Sequence, residues 1–380
     1  MDKRLKSTID KFFHKNFNKK IKTPQIVFDL NILKDNYHLI KSSLANGKCE
    51  IRYAIKANNE ERTIKVLKSL GSGFEIASLG ELNILKNNFI NPKKILFSSP
   101  VKIDSHIRAA YNYGIRYFAF DSFEELKKIA KNAPNSNVYL RIDVSNSGSI
   151  WKLDSKFGAP KKDWIKLLIE AKRKNLNPVG ITFLVGWNNT NNSTWKKAVD
   201  EASQLIKNAI DSGIKIKFLN LGGGFPAHLV DQEKHLKQIV STINPILNKL
   251  IKNYSVNIIA EPGTFLVANC GAMFTRVYAK LKRKSGNWLF IDSSIMGGFY
   301  EIFKDIKFNL YLPSKKNKLD FDVNYTITGP TCDSYDVFFK DIKLPKEVSV
   351  GELLVILPAG AYISSRREYN GFPYPETTYL

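Results

Sequence analysis

Short apolar segments rich in β-branched residues alternate with longer stretches of helical spacing through the first two thirds of the chain. The apolar segments are IRYAIKA (51–57), GFEIAS (73–78), KILFSS (94–99), YFAFDS (117–122), VYLRIDV (138–144), VGITFLVG (179–186), IKFLNLGGG (216–224) and NIIAEPG (257–263). Each ends in a polar or glycine-containing turn. Stretches between them, such as GELNILKNN (80–88) and TWKKAVDEASQLIKNAI (194–210), repeat apolar residues every three or four positions, as a helix with one buried face does. Strands alternating with helices predict βαβ units on a parallel sheet. Eight such units in about 240 residues match the size and count of an α/β chain closed into a (β/α)8 TIM-like barrel. A doubly wound open sheet is the competing layout, and eight consecutive units favour closure.

After Gly263 the texture changes. TRVYAKLKR, NWLFIDSS, VNYTITG and ELLVILPAGAYI are short alternating runs separated by turn residues, which read as an antiparallel β domain. At the other end, Leu5, Ile9, Phe12 and Phe13 fall on one helical face among lysines, a face that docks onto its own protein. The expected organisation is an N-terminal helix and strand over 1–25 packing on the β domain, the barrel over 26–265, and the β domain over 266–380.

Composition narrows the class. The chain has 380 residues, more than one hydrophobic core usually organises, with no apolar run of the roughly 18 residues a bilayer span needs. Its basic N-terminus lacks the apolar core and small-residue cleavage site of a secretory signal, and a cytoplasmic location is expected. Cys49, Cys270 and Cys332 are odd in number and scattered, suggesting neither a disulfide framework nor a metal site. A net charge of +23 fits nucleic acid, a membrane surface, steering of an anion, or simply lysine-rich solvated helix faces. The lysines are dispersed and no nucleic-acid motif accompanies them, so neither nucleic acid nor membrane is expected as a partner.

A (β/α)8 barrel carries its active site at the C-terminal ends of its strands. Those ends hold Lys56, Glu75, Ser98, Arg141, the Leu184–Trp187 turn, Gly222–Gly224 and Glu261. A lysine desolvated at a strand end attacks carbonyls as a free amine. LGGGFP (221–226) exposes backbone N–H groups that suit a phosphate, and Glu261 is held by a Pro-Gly turn. Amine, anion cradle and carboxylate are what pyridoxal 5′-phosphate asks for: a carbonyl-bonding lysine, a phosphate site and a partner for the ring nitrogen. Singly, each has a plainer reading. Strand-end lysines snorkel to solvent, Gly-Gly-Gly is often just a turn, and SLGE (78–81) is a capping box in which Glu81 only starts a helix.

With these motifs in order, the chain resembles the fold-type III, alanine-racemase-like, pyridoxal-phosphate-dependent decarboxylases of the ornithine/diaminopimelate group. YAIKAN resembles the cofactor-lysine motif, FEIAS..E the second-strand motif, LRIDVSNSGS...KFG the fifth-strand region, LNLGGGFP the phosphate glycines and AEPGTFLV the cofactor-carboxylate motif. GPTCDSYD (329–336), PAGAY (358–362) and EYNGF (368–372) follow in the family's order. The resemblance implies that Lys56 bonds the cofactor aldehyde and that Glu261 pairs with the pyridine nitrogen and keeps it protonated. It implies that Gly222, Gly223, Gly224 and Tyr362 hold the phosphate, and that Arg141 belongs to the cofactor site. Cys332 would return a proton to the substrate carbon and Asp333 would contact the substrate's far end, both across the interface of a homodimer with shared sites. The plainer reading of Cys332 is a small buried hydrophobe.

Four positions depart from the family pattern. Leu184 and Trp187 stand in LVGW where the family has histidine and serine (HVGS). Thr264 replaces the arginine common after EPG, and Glu75 stands where aspartate is usual. With Lys56 and Glu261 intact, this reads as altered cofactor holding.

GPTCD points to the ornithine-type branch, whose cationic substrate tail suits Asp333 with Asp305 as a second carboxylate. Arg366 and Arg367, in ISSRREYNGF, suit a carboxylate instead. They favour an acylated substrate, N-citryl-ornithine of a rhizoferrin-type siderophore route, over L-ornithine on the way to putrescine and polyamines. The plainer reading is that both arginines face solvent or bind the cofactor phosphate in place of the missing arginine. A non-catalytic, decarboxylase-like binding protein is the reading from another class.

Overall fold

All eight apolar segments become strands of one closed parallel barrel in the computed structural model, which describes residues 2–16, 21–151, 156–227, 230–313, 323–363, 369–372 and 374–380. The strands are Glu50–Ala54, Gly73–Ile76, Ile95–Phe97, Tyr117–Phe120, Asn137–Arg141, Asn177–Thr182, Phe218–Asn220 and Asn257–Ala260, paired in chain order. Closure comes from the eighth strand against the first, with Ile259 opposite Glu50 and Ala260 opposite Ile51. Helices cover the outside and side chains fill the inside, so these strands are buried on both faces. That is why they read as continuous apolar runs and not as alternation. Leu96, Ala119, Tyr139, Val179, Phe218 and Ile259 pack together as one interior layer.

Each strand hands over to its helix within a few residues, and side-chain caps mark the change. Ser78 accepts a hydrogen bond from the Glu81 N–H at 3.2 Å and Ser122 one from the Glu125 N–H at 3.3 Å, satisfying donors that a helix start leaves open. Glu81 reaches back to the Ala77 N–H at 2.6 Å. SLGE therefore is a helix cap, with the return bond one residue earlier than the standard box.

The chain forms two compact units, one of Met1–Leu33 with Val267–Leu380, the other of Lys34–Leu266. The first unit is built on one sheet in which Asn309–Tyr311, Leu353–Leu357, Gly271–Arg283, Gly286–Ile291, Val323–Thr328 and Val337–Leu344 are successive neighbours. The N-terminal strand is Gln25–Phe28, beyond the expected limit at residue 25, and it pairs with Gly271–Phe274 and with Glu376–Tyr379. Before it, the helix Lys3–Lys15 buries Leu5, Ile9 and Phe13, and Phe12 meets Phe274 edge-on at 5.1 Å. The expectation of an antiparallel domain needs one correction. Gly286–Ile291 pairs parallel with Val323–Thr328, and Gln25–Phe28 parallel with Glu376–Tyr379. Each pair is separated in sequence by a long connection, and only such a crossover lets strands run the same way. Alternation within a strand reveals one buried face and says nothing about the neighbour's direction. Among the described residues no helix is long and apolar enough to cross a membrane.

Candidate active site

The residues expected at the strand ends of the barrel converge. The first strand stops at Ala54, and Lys56 lies in the single 3-10 turn Ile55–Ala57 that follows. Its Nζ is 3.0 Å from Oε2 of Glu75 on the neighbouring strand. Glu75 is buried, whereas 48 % of the Lys56 side chain is exposed in the single subunit. The expectation of a desolvated lysine is therefore corrected: the amine faces a carboxylate and solvent. One turn beyond the strand end carries the side chain over the barrel mouth and out of the core, a displacement that an apolar run ending in lysine does not disclose.

Glu261, after the eighth strand, is half-buried. Its Oε1 accepts a hydrogen bond from Ser98 Oγ at 2.5 Å and another from Asn220 Nδ2 at 2.7 Å, while Oε2 has no partner among the described residues. Ser98 Oγ also lies 2.7 Å from the Tyr139 hydroxyl inside the barrel. Burial, and then the nearby Glu75 charge, raise the Glu261 pKa to about 7. Glu81 is raised to about 7 by the same two causes in the same order. Arg141, at the end of the fifth strand, has its guanidinium 5.2 Å from the Phe157 ring centre. Burial lowers its pKa, against attraction from Glu261, Asp121 and Glu75.

Asn220 ends the seventh strand and is the residue that sequence reasoning missed. Besides its bond to Glu261, its Oδ1 accepts the Gly222 N–H at 2.9 Å, so one amide ties the glycine turn to the carboxylate. A lone polar residue inside the apolar run KFLNLG was the available signal. The turn itself demands glycine. Gly222 and Gly224 have φ of +64° and +88°, and a Cβ on either would sit 2.1 or 2.2 Å from the Phe183 or Gly186 carbonyl oxygen. Gly222 thus spends its N–H on Asn220, whereas the N–H groups of Gly223 and Gly224 donate to nothing among the described residues. The expected three-glycine cradle is reduced to two open donors.

Two departures from the family pattern meet beside this turn. The Trp187 indole N–H donates to Thr264 Oγ1 at 3.1 Å, linking the loops after the sixth and eighth strands. Trp187 also lies opposite Trp151 in a short antiparallel pair. Leu184, two residues past the sixth strand, is half-buried.

The remaining expected residues belong to the other unit. Cys332 is exposed and adjoins Asp333 in the loop after Val323–Thr328. Asp336 anchors that loop from a fully buried position, accepting the Ile295 N–H at 2.8 Å and the Thr331 hydroxyl at 2.7 Å. Both Asp333 oxygens are engaged, Oδ1 by the Tyr335 N–H and Oδ2 by the Tyr369 hydroxyl, each at 2.9 Å. Asp305 is exposed with φ of +56° at the end of the Tyr300–Lys304 turn, and no contact among the described residues joins it to Asp333. Tyr362, in PAGAY, is half-buried with φ of +62°. Arg366 and Arg367 lie outside the described residues.

The barrel residues fit pyridoxal phosphate on their own chemistry. An accessible amine can take the aldehyde, two uncommitted backbone donors can take phosphate oxygens, and the second Glu261 oxygen can take a ring N–H.

Residues 30–268 match the family of pyridoxal-dependent decarboxylases, in its pyridoxal-binding domain. The lysine/ornithine decarboxylase of Selenomonas ruminantium is 31 % identical over 362 residues, covering 94 % of this chain and 90 % of its own. Antizyme inhibitor 2 of Xenopus laevis is 32 % identical over 336 residues, covering 84 % of this chain and 73 % of its own. Among solved structures, the Selenomonas ruminantium lysine decarboxylase with pyridoxal phosphate and cadaverine superposes with a TM-score of 0.85 at 28 % identity, covering 100 % of this chain and 94 % of that one.

Proposed function

Because the chain belongs to the pyridoxal-dependent decarboxylases, a family of carboxy-lyases, we propose that it removes the α-carboxylate of a basic amino acid of the ornithine/lysine type. The observation that carries this reading is the strand-end cluster of Lys56 with Glu75 and Glu261 with Ser98 and Asn220. Pyridoxal phosphate supplies the electron-withdrawing ring that accepts the charge left on the α-carbon as carbon dioxide departs. Lys56 holds the cofactor through its aldehyde, and Glu75 keeps the Lys56 amine aimed at the barrel axis. Glu261 pairs with the ring nitrogen, and Ser98 and Asn220 fix its carboxyl. Gly223 and Gly224 donate to the phosphate, and Gly222 shapes the turn. Arg141 offsets the acid cluster from the cofactor site.

Cys332 returns the proton to the α-carbon, and Asp333 receives the substrate's protonated tail, each reaching into the site of a second copy. Tyr300, Phe303 and Tyr335, an exposed aromatic group in mutual contact beside that loop, support a homodimer in which they are covered. The alternative reading, N-citryl-ornithine in place of a basic amino acid, rests on Arg366 and Arg367; the carboxylate of Asp333 supports the basic tail instead.

The test is carbon dioxide release by the cofactor-loaded protein from L-ornithine, L-lysine and N-citryl-ornithine, with Lys56→Ala as the blank. Turnover of ornithine or lysine, lost in the blank, is expected. Turnover of the citryl compound alone would move the enzyme to siderophore assembly. Cofactor binding without turnover of any of the three would leave a binding protein.

A further inference from the structure

GPTCDSYD and EYNGF meet in the β unit through one hydrogen bond, from the Tyr369 hydroxyl to Asp333 Oδ2 at 2.9 Å. The phenol is rigidly presented. Tyr369 and Phe372 exchange backbone hydrogen bonds at 3.2 and 3.0 Å, and between them Asn370 and Gly371 have φ of +51° and +76°. Two central residues in the left-handed region make a type I′ turn, which Asn-Gly favours above other pairs. Asp333 is held equally firmly. Its Oδ1 takes the Tyr335 N–H, its own N–H points to Thr331 Oγ1 at 3.4 Å, and Asp336 locks Thr331 from below. Asp333 and Tyr369 are both partly accessible.

A carboxylate that accepts from two neutral donors remains an anion with unused lone pairs, and a phenol that has given its proton away in a hydrogen bond still has an oxygen that accepts. Side by side they are two acceptors at fixed separation, with Asp333 as the charge. Such a pair suits an ammonium group and repels a carboxylate. Hydrogen bonding to the Asp333 carboxylate also raises the Tyr369 pKa, so the phenol stays neutral wherever an aliphatic amine is protonated.

We propose that Tyr369 is a specificity-determining residue, fixing Asp333 and forming with it a two-oxygen acceptor for the protonated amine at the far end of the substrate. This rests on the basic-amino-acid decarboxylase reading above, and it goes further by naming the residue that sets tail preference. Tyr369→Phe keeps the ring and the turn and deletes only the hydroxyl.

The test uses the cofactor-loaded protein. Calorimetry would compare putrescine with n-butylamine, which lacks the second amine, and kinetics would compare L-ornithine with L-norvaline, which lacks the tail amine. For Tyr369→Phe, putrescine affinity should fall about tenfold, the value of one hydrogen bond to a charged group, with n-butylamine unchanged. The KM for ornithine should rise by a similar factor with kcat within about threefold, because a tail contact binds ground and transition states alike, and L-norvaline should be unaffected. Asp333→Asn should abolish the preference for putrescine over butylamine, and adding Tyr369→Phe to it should change nothing more. Putrescine binding within twofold of wild type, or a parallel loss for both amines, would overturn the proposal. A wild-type protein that binds the cofactor but neither binds putrescine nor decarboxylates ornithine or lysine would overturn the underlying reading and the proposal with it.

Discussion

Glu261→Gln should make the cofactor-free protein more stable at pH 8 while removing its activity. In the fold, burial and the charge of Glu75 raise the Glu261 pKa to about 7; in the unfolded chain a glutamate titrates near 4.3. The folded state therefore binds the proton more tightly than the unfolded state between those values, and stability falls as pH rises through them. At about 1.4 kcal/mol per pKa unit, the ionised carboxylate costs the fold about 4 kcal/mol above pH 7 and nothing below pH 4. Glutamine keeps the oxygen that accepts from Ser98 and Asn220 and removes the charge. For a unit of this size, about 2–4 °C accompanies each kcal/mol, so Glu261→Gln should melt about 8–16 °C above wild type at pH 8. Near pH 4.5 the two should coincide. Thermal melts across that range, followed by circular dichroism, make the comparison. A Gln variant no more stable at pH 8, or equally more stable at both pH values, would refute the claim that a partly buried, repelled carboxylate stores this energy.

Three further outcomes follow from the same geometry. Lys102 is wholly buried, 2.8 Å from Glu125 Oε1 and within reach of the Ser99 and Ala119 carbonyls; Lys102→Ala strands Glu125 beside Lys128 alone and should cost about 3–5 kcal/mol in urea unfolding at pH 7. Asn220→Ala frees both Glu261 and the Gly222 turn, and pyridoxal phosphate affinity measured by absorbance titration should fall by roughly 10- to 100-fold, two hydrogen bonds' worth. Trp187→Phe deletes the bond to Thr264 and should lower the melting temperature by about 2–4 °C, one neutral hydrogen bond's worth.

What could be read from the sequence followed from what each residue pattern constrains. Strands buried on both faces and helices buried on one leave unmistakable periods, so the barrel and its eight members were legible down to the strand ends. The placement of Lys56, Glu261 and the glycines at the strand ends was legible because each follows one of those apolar runs directly. Three features were not, and each depends on a partner distant in sequence. The direction of Gly286–Ile291 relative to Val323–Thr328 is set by the connection between them. The solvation of Lys56 depends on Glu75, on the next strand, and on a single extra turn. The Tyr369–Asp333 bond joins positions 36 residues apart, and neither EYNGF nor GPTCD alone announces it. The departures at Trp187 and Thr264 look independent in sequence and are one compensated change in space: where the family pattern has serine and arginine, this chain has an indole N–H and a hydroxyl that bond each other. Exchanging a charged contact for a neutral pair weakens the hold on an anion, and Gly222 has already spent its N–H on Asn220, so under the proposed function a bond through Lys56 would carry more of the cofactor's retention than the phosphate contacts would.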